Sequence, residues 1–234
     1  MTAYARPADL DLALALLSEG PRRILAGGTD LYPGAGAQLD GPVLDITALP
    51  ALRGITVNEG LRIGAATTWA EIAAADLPPA LRGLQQAALQ IGARQVQNAG
   101  SIGGNLCNAS PAADGVPPLL SLDASVELAS PEGRRVLPLS AFITGYRRTA
   151  LGPGEIVTAV LVPSPASTAR SAFVKLGARR YLVISILMAA AVIETDAQGR
   201  ILQAAVAVGS ASPVAQRLPD LEAELRGFGG RPSA

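Results

Sequence analysis

Two short segments of this 234-residue chain bring together residue types that can hold an anion. They are Gly27-Gly28-Thr29 and Ser101-Ile102-Gly103-Gly104-Asn105. Each combines adjacent glycines with a hydroxyl residue, close to an apolar run. Glycine permits positive φ and lets the backbone approach a ligand closely. A concave run of N–H groups attracts negative charge, and a hydroxyl adds a donor. Two such segments suit a diphosphate, with two charged groups on one bridge. Either segment alone reads as a structural turn. Neither fits G-x-x-x-x-G-K-[ST], nor G-x-G-x-x-G between a strand and a helix, so the P-loop and Rossmann readings fail. Beyond the second segment the chain reaches Asp114. That carboxylate has two readings, contact with a cofactor hydroxyl or a cap on the helix that Pro117 opens, and spacing favours the cap.

The missing residue types narrow the chemistry further. The chain has no histidine, and Cys107 is its single cysteine. Within this chain that excludes zinc sites, iron–sulfur ligation, disulfides, Cys/His nucleophiles and a His-based serine triad. Catalysis would fall to carboxylates or to a bound organic cofactor. Lys175 is the only lysine among nineteen basic residues. It is either a remnant of compositional drift or a site needing a compact ammonium group. Balanced charge and 3% aromatics argue against nucleic acid. The opening MTAYARPADL holds no apolar signal, and Tyr181 to Ile193 is too short and interrupted to span a bilayer. The expectation is a cytoplasmic protein without membrane insertion. Cys107 reads as a small packing residue, and Trp69 as a core or interface anchor rather than a stacking platform for a cofactor. Arg147-Arg148 and Arg179-Arg180 read as solvated charges or salt bridges to a partner. Asp9, Asp11 and Glu19 read as an exposed helix face.

The elements that must position these residues follow from periodicity and punctuation. Helices are predicted over residues 8–18 with Gly20 as the stop, over 79–90, and over 219–226, with a short one before Ile72 capped by Thr67 or Thr68. Strands are predicted at 24–26, 43–46, 156–162, 173–176, 183–194 and 201–208. Hairpins are expected at 55–57 with 61–63, and at 126–129 with 135–137. Pro163 to Thr168 is the best linker. Strands and helices without regular βαβ alternation indicate an α+β fold.

Four stretches resemble, in order, a known family. SIGGNLCNASPAAD looks like the FAD signature of the medium subunit of molybdenum hydroxylases, such as xanthine dehydrogenase and aerobic carbon monoxide dehydrogenase. AGGTDL (26–31) resembles that family's first FAD loop, and GYRRTALGPGEIV (145–157) and SAFVKLGARR (171–180) match as well. The resemblance implies an α+β FAD-binding fold of the vanillyl-alcohol-oxidase (PCMH) type. Its FAD-binding subdomains would be residues 1–54 and 55–165, followed by a shortened C-terminal α+β subdomain, 169–234. It implies Ala26, Gly27, Gly28, Thr29, Asp30 and Leu31 as one pyrophosphate loop and Ser101, Gly103, Gly104 and Asn105 as the other. Asp114 matches a family aspartate contacting the cofactor. Ile156 or Val157 matches an apolar residue near the flavin, and Lys175 a lysine near it.

The implied function is an FAD-containing oxidoreductase subunit with no catalytic acid or base of its own. It would take electrons from the [2Fe-2S] clusters of a small subunit, served by a molybdenum-cofactor large subunit, and pass them to NAD or another acceptor. The alternatives are a standalone FAD-dependent reductase of related fold, and a scaffold that has lost FAD. After Lys175 and Leu176 the chain reads GARRYLVISILMAAAV, where many relatives place an acidic residue or alanine in the second half, which leaves the acceptor open. Relatives also extend further past the last helix.

Overall fold

The computed structural model describes residues 4–36, 39–179 and 182–229. Short apolar runs broken by glycine and proline build four small sheets, with helices packed between them. The first group comprises β1 (Tyr4–Ala5), α1 (Leu10–Ser18), β2 (Arg23–Leu25) and β3 (Val43–Asp45). Both outer strands pair parallel to β3, giving the order β1-β3-β2. Asp9 caps α1 by accepting from Leu12 N–H at 2.8 Å, and Asp11 and Glu19 are exposed as expected. The buried side of α1 (Leu10, Ala13, Leu14) packs with Leu44, Ile46 and Leu49.

The second group is larger. It runs β4 (Ile55–Val57), β5 (Gly60–Gly64), α2 (Trp69–Ala74), α3 (Arg82–Gln90), α4 (Arg94–Ala99), α5 (Ile102–Asn108) and α6 (Val116–Ser121). It continues through β6 (Ser125–Ser130), β7 (Gly133–Pro138), α7 (Leu139–Phe142), β8 (Ile143–Gly145), β9 (Arg148–Thr149) and β10 (Ile156–Pro163). Five strands form an antiparallel sheet in the order β4-β5-β10-β6-β7, which includes both predicted hairpins. A core cluster with Trp69, Leu84, Ile102, Leu106 and Leu119 fully buried joins the sheet to the helices. Burying a side chain of this kind stabilises by roughly 1.5–3 kcal/mol. Thr68, rather than Thr67, starts α2 in a reciprocal capping box with Glu71.

The third group is β11 (Arg170–Leu176), β12 (Leu187–Thr195), β13 (Ile201–Gly209), β14 (Gln216–Arg217) and α8 (Pro219–Leu225), with the strands antiparallel in sequence order. Phe173, Met188 and Ala190 cluster with Ala87 of α3, which docks this sheet on the second group. Gly83 permits that approach: its N–H meets Ser171 Oγ at 2.7 Å, and a Cβ there would lie 3.1 Å from the Ala172 carbonyl.

Two expectations need correcting. The strand predicted from Val183 begins only at Leu187, because Ser185 Oγ bonds the Asp114 carboxylate and Leu182 takes a left-handed φ of 53°. A tertiary bond there replaces the sheet ladder. The stretch around Ser101 is not a loop with positive φ. Ser101 is the N-cap of α5, and Gly103 and Gly104 lie in its first turn. The expectations placed on Arg180 and Tyr181, and on the last five residues, fall outside the described residues.

Candidate functional site

The two glycine segments touch. A Cβ on Gly27 would sit 2.0 Å from the Ala99 carbonyl oxygen, and one on Gly100 would sit 3.5 Å from Thr29 Oγ1. Backbone therefore packs on backbone where the segment after β2 meets the end of α4, just ahead of Ser101, and only glycine fits at Gly27. The start of α5 is stitched to the segment ahead of α2. Ile102 N–H donates to the Thr67 carbonyl at 3.0 Å, Gly103 N–H to Ala65 at 2.8 Å, and Thr68 and Ser101 form an isolated bridge. Gly103 is glycine for this contact, since its Cβ would lie 2.7 Å from Ala65 Cβ. Of the glycines in these segments only Gly28 uses positive φ, at 70°. Close approach, rather than backbone torsion, accounts for Gly27 and Gly103.

Between the segments lies a cavity of about 390 Å³. Ala26, Gly27, Gly28, Thr29, Asp30, Leu31, Ser101, Gly103, Gly104 and Asn105 line it, as do both Ile156 and Val157. The uncertain register is thus moot, because both residues reach the wall at the start of β10 just before its bulge. The backbone N–H groups from Gly27 to Leu31 have no acceptor among the described residues. Ser101 Oγ accepts from Gly104 N–H at 3.2 Å, and neither its own hydrogen nor that of Thr29 has an acceptor among the described residues. A Cβ on Gly104 would meet Ser101 Oγ at 3.0 Å and Ala26 Cβ at 4.0 Å, so Gly104 borders the gap between the segments. Asn105 Oδ1 is buried without a hydrogen-bond partner, the kind of group a ligand donor satisfies.

Asp114 and Lys175 stand apart from that wall. They line an adjoining cavity of about 340 Å³, together with Ile91 and Asn105, which border both spaces. Lys175 Nζ lies 2.6 Å from Asp114 Oδ2, and both side chains are buried. Ser185 Oγ donates to Asp114 Oδ1 at 2.6 Å. Burial pushes the Asp114 carboxyl above its ordinary value, and the bonds from Lys175 and Ser185 offset only part of that push. Asp114 is not a cap: Gly115 holds the N-cap position of α6, with no side-chain capping bond. The lone lysine is therefore half of a buried ion pair that ties β11 to the segment after α5.

Several wall residues escaped the sequence reading. Arg147, read as a solvated charge or a salt bridge to a partner, is exposed but also lines the cavity and donates to Asn108 Oδ1 at 2.6 Å, while Asn108 Nδ2 donates to Asp30 Oδ1 at 3.0 Å. Glu155 also lines it, held bidentately by Arg135 at 2.6 and 2.7 Å, which keeps its carboxyl below the usual range. Trp69 is a core residue whose buried ring also backs the cavity. Cys107 is not a packing residue: it is exposed, on the concave wall. Nothing in residue order signalled the distant Asp30–Asn108–Arg147 contact.

Comparison with known proteins gives a consistent result. Residues 1–165 match the model of the FAD binding domain in molybdopterin dehydrogenase. The chain is 37% identical over 206 residues to the nicotinate dehydrogenase FAD-subunit of Eubacterium barkeri, covering 84% of this chain and 70% of that one. It is 35% identical over 227 residues to the xanthine dehydrogenase FAD-binding subunit of Escherichia coli O157:H7, covering 94% and 77%. Among solved structures, Cu,Mo-CO dehydrogenase in its cyanide-inactivated form superposes with a TM-score of 0.90 at 28% identity, covering 97% and 80%. Quinoline 2-oxidoreductase from Pseudomonas putida 86 gives 0.88 at 26%, covering 99% and 81%.

Proposed function

The chain belongs to the family of FAD binding domains in molybdopterin dehydrogenases, and on that premise we propose that the cavity between its glycine segments is where it holds FAD. It is an oxidoreductase subunit, and its cofactor is FAD. The observation that carries the site is the run of N–H groups from Gly27 to Leu31, without acceptors among the described residues, on the wall of the cavity.

The residues fit the cofactor. The amides of Gly27 to Leu31 and the hydroxyls of Thr29 and Ser101 can donate to the diphosphate, charge-assisted bonds about twice as strong as neutral ones. Gly104 leaves room for the bridge, since a side chain there would narrow the gap between Ser101 and Ala26. Asn105, with its orphaned oxygen, can accept from a cofactor hydroxyl. Ile156 and Val157 offer an apolar wall to the ring system, and Lys175 and Asp114 bound the adjoining space into which the ligand would extend past Asn105. When bound, FAD supplies a store of two electrons that can be filled one at a time.

We further propose that the electrons arrive from the [2Fe-2S] clusters of a small partner subunit, downstream of a molybdenum-cofactor large subunit, and leave to NAD or another acceptor. Two features support this division of labour. The chain has no histidine and one cysteine, so it cannot ligate a cluster itself. Its relatives are named as FAD subunits and medium chains, one part of a larger enzyme. The test is anaerobic: the FAD-loaded chain is mixed with a reduced [2Fe-2S] ferredoxin, and the flavin absorbance is followed, before and after NAD is added. Bleaching by the ferredoxin is expected; a flavin that stays oxidised contradicts the proposal. Recovery of absorbance on adding NAD would identify that acceptor.

A further inference from the structure

The relay on the cavity wall has no counterpart in the glycine motifs. Arg147 Nη1 donates to Asn108 Oδ1 at 2.6 Å, and Asn108 Nδ2 donates to Asp30 Oδ1 at 3.0 Å. All three residues line the cavity, and they come from the segment after β2, the end of α5 and the turn between β8 and β9. Arg147 is itself fixed. Its N–H donates to the Ala109 carbonyl at 3.0 Å, its φ is 49°, and its guanidinium lies 6.0 Å from the centre of the Tyr146 ring. Among the described residues it is the only cationic side chain on this wall.

Asp30 poses a problem that the relay answers. Its carboxylate sits in the same five-residue run whose amides await an acceptor. A diphosphate brought to those amides meets a like charge at short range. The neutral amide of Asn108 can satisfy one carboxylate oxygen only if its own carbonyl faces elsewhere, and Arg147 takes that carbonyl. The cation thereby orients Asn108, offsets the charge of Asp30, and ties the run down at its outer end.

We infer that Arg147 is a positioning residue for FAD, acting through Asn108 on Asp30 and so on the donor run Gly27–Leu31. The inference rests on the reading that this cavity holds FAD. The test is the dissociation constant of FAD for the full-length apoprotein, read by flavin fluorescence, with thermal melting as a control on folding. Arg147→Gln is expected to raise the constant about tenfold, the loss of one charge-assisted contact. Asn108→Ala, which keeps the cation but cuts the relay, is expected to weaken binding in the same direction. The discriminating variant is Asp30→Asn combined with Arg147→Gln. Measured against Asp30→Asn alone, the added Arg147→Gln should then cost little affinity, whereas a purely structural or direct phosphate role for Arg147 would cost the same tenfold in that background. Unchanged affinity in Arg147→Gln, or the same loss when it is added to Asp30→Asn, overturns the inference while leaving the FAD site standing. A folded wild-type chain that binds no FAD rejects the site reading itself.

Discussion

Replacing Gly104 by valine should remove FAD without unfolding the chain, whereas the same change at Gly103 should do the reverse first. A Cβ at position 104 meets Ser101 Oγ at 3.0 Å and otherwise only Ala26 Cβ at 4.0 Å. The crowded atom is the Ser101 Oγ that accepts the Gly104 N–H and need give by only a few tenths of an ångström, and a glycine replaced inside a helix recovers a few tenths of a kcal/mol even for a β-branched residue. The two effects are comparable, so net stability should move by less than about 1 kcal/mol, or less than about 4 °C in melting temperature for a chain of this size. The same methyl groups project between the cavity's two donor segments. Losing at least two bonds to a charged group, at about 1.5–3 kcal/mol each, weakens FAD by roughly 150-fold or more. At Gly103 a Cβ would lie 2.7 Å from Ala65 Cβ and 2.8 Å from the Ala65 carbonyl oxygen, which also accepts the Gly103 N–H. Neither atom can rotate away, and overpacking of this kind costs about 1–3 kcal/mol. Apoprotein melting curves and FAD titrations of both variants form the assay. Equal melting losses at the two positions, or wild-type FAD affinity in Gly104→Val, would refute the reasoning.

Three further outcomes follow from the same geometry. Lys175→Met should destabilise by about 3–5 kcal/mol, because it strands a buried carboxylate. The Asp114 carboxyl is already raised by burial, so without Lys175 it binds its proton more tightly still in the folded state. Stability of the variant relative to wild type should therefore fall as pH rises through the raised range in which the wild-type Asp114 ionises, above the ordinary aspartate value of about 4, and a pH-independent difference in melting temperature would contradict this. Cys107, exposed on the cavity wall, should react with iodoacetamide at pH 8 and be protected when FAD is bound; no protection by FAD would show the thiol to be placed otherwise. Thr68→Ala removes the capping box of α2 and should cost about 1 kcal/mol, seen in melting, because the Glu71 N–H loses its partner.

Much of the fold was legible because its signals are local. The apolar helical run that Gly20 stops, Thr68 three residues ahead of Glu71, and the hairpins around Asn58-Glu59-Gly60 and residues 131–132 each carry their geometry in a few adjacent residues, although Asp9, read as part of the exposed helix face, proved to be the cap of α1. Both donor segments were legible from composition, but their mechanics were not. Gly27 and Gly103 are glycines because of Ala99 and Ala65, partners distant in sequence, and residue order gave no hint that Gly103 and Gly104 face different surroundings. The α4 helix was missed, its Arg94–Ala99 sequence being polar apart from Val96 and Ala99 and flanked by glycines at 92 and 100. The late start of β12 and the pairing of Asp114 with Lys175 both depend on side chains that meet only after folding. So does the contact of Arg147, an exposed charge as its neighbours suggested, with Asn108 at 2.6 Å.

The most direct measurement is the flavin retained by the full chain after loading with FAD and gel filtration, with Gly104→Val run beside it and both melting curves recorded. The expected result is FAD retained in equimolar amount by the wild-type chain and lost from a variant that melts at nearly the same temperature. Equal retention by both would place the cofactor away from the Gly27 and Gly104 segments. A folded wild-type chain that retains none would contradict the cavity's assignment outright.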